Sequence, residues 1–372
     1  HVDNLLDLYK QTILLMAPLE WGAGIKGKIC DCGMCGIPIL TSPIGNEGID
    51  FSDRENALIA NSIENFSEKL MKFFDMPRNE QIKLGQSGKN HLNRIVSKKA
   101  AINILQHSLR DKHILLSIVT HNQHKKLIKC LDSIINKTEY KNYTIYISDN
   151  STDNISIKQV KDYIKKYKTK ILYTKNKTND FFIIPNNKVM LLPEYKDSDI
   201  VLINDDVEIL DNYWLNYLYT SAYSADYIAA AGGKYLYPNG TLSEAGAELY
   251  NDGTGLNKGR YKNANNIEYN KTYYTGYCSG CLLYMRRDAI ESIGIFSNEL
   301  EKMYYEDSEW QYRAHTYGLK TIYDYRCQII HHEGSSSGTD TTKGCKRYQE
   351  INRKIFLDIM HKSGQYNIEK FN

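Results

Sequence analysis

No stretch of this chain approaches the ~20 consecutive apolar residues that span a bilayer. Its first thirty residues also lack the basic, apolar and small-residue order of a secretion signal. The expectation is a cytoplasmic protein without a transmembrane segment, with peripheral membrane association left open. Charge of one sign is scarce too: 47 basic against 44 acidic residues leave a formal net charge of +3 over 372 residues. Nucleic acid is therefore not an expected partner, and the lysine-rich run from Lys158 to Lys170 reads as the solvated face of a helix. The 8 cysteines form no four-ligand zinc pattern and read as reduced thiols packed as small hydrophobes. No internal repeat is apparent.

What is present suggests two α/β units. Ile13–Met16 and Ile37–Thr41 read as short buried strands around a glycine-rich turn, Gly22–Gly27, and helical patterns follow at Ile63–Phe74 and Ile82–Ile95, with a third reaching Leu109. The polar stretch Ser108–His113 is the expected boundary, dividing the chain into 1–110 and 111–372. Beyond it, Ile114–Thr120 has the continuous apolar character of a central parallel strand. Leu127, Leu131, Ile134 and Ile135 recur at helical spacing, with Asn122 available as N-cap. Tyr143–Ser148, Ile171–Thr174 and Ile200–Ile203 continue the strand pattern, and ligands of open α/β sheets collect beyond such strand ends. The second half brings a turn at Pro238–Gly240, a glycine-spotted loop over Asn251–Lys262 and a strand at Leu282–Met285. Helices are expected from Asp288 to Gly294 and from Glu306 to Tyr317, then a short strand, Cys327–Ile330, before a flexible Gly334–Gly338.

Two acidic clusters stand out. Ile200–Ile203 runs straight into Asn204, Asp205 and Asp206, and acids at the tip of a buried strand need positive charge opposite them. A hard divalent cation, Mg²⁺ or Mn²⁺, carrying a diphosphate meets that need. Capping of the helix that follows near Asp211–Leu218 explains the pair equally well. The second cluster, Glu306, Asp307 and Glu309, suits a general base held rigidly at a helix start, or plain helix-end electrostatics. The helix dipole would lower the pKa of such a base while its acidic neighbours raise it. His331 and His332, with Glu333 beside them, follow the last short strand, as metal ligands or as structural histidines.

Seven segments in order carry a resemblance: SIVTHN at Ser117–Asn122, SDNSTD at Ser148–Asp153, LINDDV at Leu202–Val207, GTLSEAG at Gly240–Gly246, YCSGCLLYMRR at Tyr277–Arg287, YEDSEW at Tyr305–Trp310 and IHHEGSSSGTD at Ile330–Asp340. From Ile114 to about Arg353 the chain resembles a family 2 glycosyltransferase of the GT-A fold, similar to rhamnosyl- and galactosyltransferase-like members. The resemblance implies a Rossmann-like mixed sheet and an inverting, metal-dependent hexosyl transfer. The donor would be UDP-, dTDP- or GDP-linked and the acceptor a glycan or related hydroxyl, in surface polysaccharide or glycan synthesis. It implies Asp307 as general base with Glu306 beside it, Asp206 as metal ligand joined by His331 or His332, and Asp149 as the acid that contacts the nucleotide base. Asn204, Asp205 and Gly280 would complete the nucleotide-sugar site. Departures from the family pattern are His121 where a proline turn is usual, and Asn150–Ser151 and Asn179–Phe181 where glycine is common.

Residues 13 to about 109 resemble the carboxyl-terminal half of a family 4 glycosyltransferase of the GT-B fold, through APLEWGAGIKGK at Ala17–Lys28 and CGIPILTSPIGNEGI at Cys35–Ile49. The matching amino-terminal half is missing, so this segment is expected to be inactive alone and the chain to be part of a longer multi-transferase protein. Two rivals remain. One is a catalytically inactive module that binds sugar nucleotides or assembles partners. The other is a nucleotidyltransferase, disfavoured because Thr120–Lys126 has no glycine-rich loop. The 30 tyrosines suit stacking on sugar rings, and a compositional bias towards Ile, Asn, Lys and Tyr explains them as well.

Overall fold

The computed structural model describes residues 5–22, 24–95, 112–167, 170–333 and 342–364. The chain divides into two compact units, His1–Gln106 and His107–Asn372. The first holds three short parallel strands, β1 (Leu15–Ala17), β2 (Ile39–Thr41) and β3 (Leu58–Ile59), in the order β1-β2-β3. Sequence pattern shows only two of them, because β3 is two residues long. Helix Ile63–Asp75 starts at Ser62, whose Oγ accepts the Asn65 N–H at 3.1 Å. Helices Gly27–Met34 and Arg78–Ile95 meet at Gly33, where a Cβ would lie 2.3 Å from Leu92 Cδ1. The helix expected to reach Leu109 falls outside the described residues beyond Ile95, as does residue 23 of the glycine-rich turn.

The second unit is built on a ten-stranded mixed sheet. Its parallel half comprises β4 (Ile114–Thr120), β5 (Tyr143–Asp149), β6 (Ile171–Lys175) and β7 (Asp199–Asn204), ordered β7-β4-β5-β6. The apolar runs of β4 and β7 are buried on both faces, as expected of parallel strands under helices. After β7 the chain turns at once into β8 (Val207–Ile209), and a long strand, β9 (Ile228–Leu236), follows. Two hairpin-like pieces come next, β10 (Leu242–Ala245) against β9 and β11 (Ala247–Leu249) against β12 (Gly255–Asn257). The sheet is completed by β13 (Tyr273–Thr275), β14 (Leu282–Met285) and β15 (Lys320–His331).

Two pairings set up the site. β14 runs antiparallel between β7 and β9, with Leu282 opposite Ile203, so Gly280 and Cys281 lie beside the end of β7. The Asn204 N–H donates to the Cys281 carbonyl at 2.9 Å. β15 pairs antiparallel with β8, placing His331 opposite Val207, one residue past Asp206. Helix Glu306–Thr316 is anchored by fully buried Trp310, whose Nε1 donates to the Gly294 carbonyl at 2.8 Å. Truncating a buried tryptophan generally costs about 3–5 kcal/mol, so this contact fixes where the helix starts.

Several expectations are corrected. Asn122 does not cap the helix at His124–Asn136; it has φ 56°, and its Oδ1 accepts the N–H groups of Thr152 and Asp153 instead. The short strand at Cys327–Ile330 is the end of the twelve-residue β15. The 251–262 loop contains β12. Gly294 and Gly318 do close their helices, at φ 92° and 78°. Gly334–Gly338 lies outside the described residues.

Candidate active site

A cleft of about 750 Å³ opens over the carboxyl ends of β4 and β7. Asn204, Asp205, Asp206, Gly280, Glu306, Asp307 and His331 all line it, although together they span more than a hundred residues of sequence. Asp205 and Asp206 form the tight turn between β7 and β8, and helix Trp214–Ala222 begins later. The capping alternative therefore fails; Asp211 serves that end by accepting the Tyr213 N–H at 2.7 Å.

Asp206 is 8 % exposed, and its Oδ1 receives no hydrogen bond among the described residues. His331 Nε2 lies 3.4 Å from that oxygen. Burial opposes a charge on His331, but Cys281 and Asp206 more than offset it and raise its pKa. Asp205 accepts from Thr120 Oγ1 at 2.6 Å, and burial, with Asp206 beside it, pushes its carboxyl up to about 7. No group of three or more His, Cys, Asp and Glu among the described residues is spaced to hold a metal ion. Asp206 and His331 are a pair.

The acids at the other side of the cleft have different surroundings. Asp307 Oδ2 accepts the Gly280 N–H at 2.7 Å, and Oδ1 accepts the Ser308 N–H at 2.7 Å and Ser308 Oγ at 3.1 Å. Burial raises its pKa, and those donors moderate the rise without reversing it. Gln311 locks the frame by donating to the Cys278 and Asp307 carbonyls at 2.8 and 2.9 Å and accepting the Cys278 N–H at 2.8 Å. Glu306 is 6 % exposed; its Oε2 has no hydrogen-bond partner among the described residues, and burial with Asp307 nearby raises its pKa strongly. Glu309 points elsewhere and holds Arg313 at 2.7 and 2.9 Å.

Two expected site residues are not brought in. Asp149 is 0 % exposed and does not line the cleft; its carboxylate takes the Tyr173 hydroxyl at 2.5 Å and the Ser151 N–H at 2.7 Å. Its neighbour Asn150 lines the cleft in its place. His332 follows His331 onto the opposite side, where its Nε2 lies 3.5 Å from Glu208 Oε2, because successive residues of an extended chain face opposite ways. Gly280 lines the cleft, and its N–H is already committed to Asp307.

Sequence pattern gave no sign of the cleft's basic and aromatic wall. Arg260 donates to both carboxylate oxygens of Glu333 at 2.9 Å, and the Tyr237 hydroxyl donates to Glu333 at 2.9 Å. Tyr237 and Tyr261 stack at 5.1 Å with an interplanar angle of 8°. Lys346 lies 4.8 Å from the Tyr304 ring centroid, and burial lowers its pKa. Behind the cleft, the Glu244 carboxylate accepts the Ser279 N–H at 2.8 Å and is pushed up to about 8 by burial. Glu244 falls in the GTLSEAG segment, which was the one available hint.

Comparison with known proteins bears on the family and the fold. Residues 116–294 match the family Glycosyl transferase family 2. The O-antigen biosynthesis protein RfbC of Myxococcus xanthus is 24 % identical over 232 residues, 60 % of this chain and 18 % of that protein. Uncharacterized protein y4gI of Sinorhizobium fredii is 19 % identical over 231 residues, 60 % of this chain and 25 % of its own length. This chain thus spans a quarter or less of either relative. Among solved structures, GalNAc-T7 with UDP, GalNAc and Mn²⁺ aligns at a TM-score of 0.54 and 15 % identity over 68 % of this chain and 50 % of that one, a likeness of fold. Residues 116–294 therefore form a family 2 glycosyltransferase domain, and the unit that carries it has the GT-A fold.

Proposed function

We propose that the second unit is a hexosyltransferase that moves a sugar from a nucleoside-diphosphate donor to a hydroxyl acceptor with inversion. The observation that carries this reading is the convergence of Asp206, with His331 at 3.4 Å, and of Asp307 on one cleft. Asp307, held by the Gly280 and Ser308 donors and raised in pKa by burial, takes the proton of the acceptor hydroxyl. The acceptor oxygen bonds to the anomeric carbon as the bond from that carbon to the diphosphate oxygen breaks, and the nucleoside diphosphate leaves. Arg260 and Lys346 add positive charge to the wall of the same cleft.

The residues present fit a hard divalent cation, Mn²⁺ or Mg²⁺. A buried carboxylate oxygen without a donor would supply one ligand and a histidine nitrogen a second once its proton has left, and such ions take their remaining ligands from substrate phosphates and water. When bound, the ion would stabilise charge on the departing diphosphate. GalNAc-T7 carries UDP, GalNAc and Mn²⁺ in its solved structure, which supports a nucleoside-diphosphate donor here, UDP-linked among the UDP-, dTDP- and GDP-linked candidates. The O-antigen name of RfbC supports a glycan acceptor in surface polysaccharide synthesis.

No helix among the described residues is long and apolar enough to cross a membrane. A cytoplasmic setting is part of the proposal, supported by the 8 cysteines, all free. For residues 1–110 the proposal is a partial GT-B-like carboxyl-terminal half, supported by three parallel strands and a glycine-rich loop before helix Gly27–Met34.

Calorimetric titration with UDP, dTDP and GDP, each with and without Mn²⁺, followed by hydrolysis and transfer assays with the matching sugar nucleotides, tests the proposal. Mn²⁺-dependent binding with turnover is expected. Binding without hydrolysis or transfer would favour the inactive module, and no binding of any of the three would sink the assignment.

A further inference from the structure

The start of the helix that carries Asp307 is reached through an unusual loop. Lys302, Tyr304 and Tyr305 have φ of 55°, 75° and 69°, a region that residues with a Cβ seldom adopt. Such a run persists only where its surroundings over-determine it. Every carbonyl in the loop is accounted for. The Lys302 carbonyl accepts the N–H groups of Phe182 and Ile183, each at 3.1 Å, and the Tyr305 carbonyl accepts the Glu309 N–H at 2.8 Å. The other three converge on one side chain, that of Asn352 on helix Arg347–Ser363. Its Nδ2 lies 2.8, 3.0 and 2.8 Å from the carbonyl oxygens of Glu301, Met303 and Tyr304, which share its two hydrogens, and its Oδ1 accepts the Glu301 N–H at 2.7 Å.

Asn352 is fully buried, and it does not line the cleft. Four residues further along the same helix, Phe356 packs at 5.6 Å on Tyr305 and at 5.5 Å on Tyr312. The helix therefore grips both the loop and the body of the helix bearing Asp307. Both it and Asp307 lie beyond residues 116–294, the part that matches the family.

We infer that Asn352 is a positioning residue: by holding the carbonyls of residues 301, 303 and 304 it keeps the strained loop in the one conformation that aims Asp307 into the cleft. The inference rests on the reading of Asp307 as general base. Asparagine suits the task because one planar amide offers two donors and an acceptor at once. Aspartate has the same shape and no donor, so it would face three carbonyls with nothing to give them. The loop would then relax towards ordinary backbone angles and carry the first turn of the helix with it.

The test compares wild type with Asn352→Asp, and with Asn352→Ala should the first fail to fold, by hydrogen exchange and by steady-state kinetics with the donor that the screen above identifies. Exchange should quicken at the amides of 301–308 while β4 and β7 stay protected. The value of kcat should fall about 100-fold, as misplacement of a reacting group by about 1 Å does. KM for the donor should stay within about twofold, since the donor is held elsewhere. Unchanged protection of 301–308 would overturn the inference. So would a lower Tm with kcat per folded molecule unchanged, the signature of a purely structural residue. A wild-type protein without turnover would refute the reading of Asp307 instead, and the exchange arm would still decide whether Asn352 holds the loop.

Discussion

Asp206 and Asp307 face the same cleft with the same side chain, and the protein treats them in opposite ways. Asp206 sits in a two-residue turn between strands, where β7 and β8 use the backbone for pairing and leave its Oδ1 with no donor. Asp307 sits in the first turn of a helix, and three donors from Gly280 and Ser308 surround its two oxygens. A buried carboxylate oxygen without a donor is costly unless a cation completes it, whereas a buried one that is hydrogen-bonded has less need of a cation. On the proposed reading, the difference divides a single residue type between holding positive charge and receiving a proton. Environment, and not residue identity, assigns the role.

The sharpest way to break this comparison is Asp307→Asn. The amide keeps the shape, but its single oxygen accepts from Gly280 or from Ser308 and not from both, and it takes no proton. Transfer should fall by about 10²–10⁴-fold, the usual worth of a general base. Mn²⁺-dependent nucleotide binding, followed by calorimetry, should be unchanged. If donor binding collapsed while the fold persisted, Asp307 would belong to the donor site and the division of roles would be wrong.

Asp206→Ala should give the complementary result with a smaller and different loss. Nucleoside-diphosphate affinity in the presence of Mn²⁺ should weaken roughly 100-fold, at least the effect seen when the supports of a metal ligand are removed. Affinity without the metal should change little. Equal Mn²⁺ dependence in wild type and variant would show that the unpartnered oxygen has no part in binding a cation.

Part of this arrangement was readable in the sequence. The strands β4 and β7 announce themselves as unbroken apolar runs because both faces are covered, and the acids follow directly at their ends. Asp307 and its neighbours mark a helix start by charge alone, although Glu309 turned out to serve Arg313. The long strand β15 shows only its last residues in the sequence, because Asp324 and Arg326 interrupt its apolar pattern. In the fold Asp324 is buried, bonded to Arg326 and to the Ser221 hydroxyl at 2.6 Å. Asp149 ends its strand as Asn204 ends β7, but its carboxylate is taken up by Tyr173 on the neighbouring β6 and by the Ser151 N–H. Arg260, Lys346 and Asn352 were invisible for another reason: each acts through partners at least forty residues away, or across a loop, with no local periodicity to reveal it.

Glu244 offers the mildest test, because it is a further buried carboxylate near the cleft and has an intermediate environment: one donor, the Ser279 N–H, on Oε1. Burial, with Asp307 and Glu333 adding to it, pushes its pKa to about 8 from an ordinary value of 4.5. The folded state therefore holds a proton that the unfolded chain releases. The stability this group contributes is fully present below about pH 4.5 and is lost as pH rises through about 8. Glu244→Gln stays neutral at every pH and keeps an oxygen for Ser279, so it escapes that loss. Thermal unfolding of the two proteins should coincide near pH 5 and diverge with rising pH, the variant melting on the order of a few degrees higher at pH 9. A constant difference in Tm from pH 5 to 9 would mean that Glu244 is ionised throughout, and that the ground beneath Ser279 is less apolar than its burial implies.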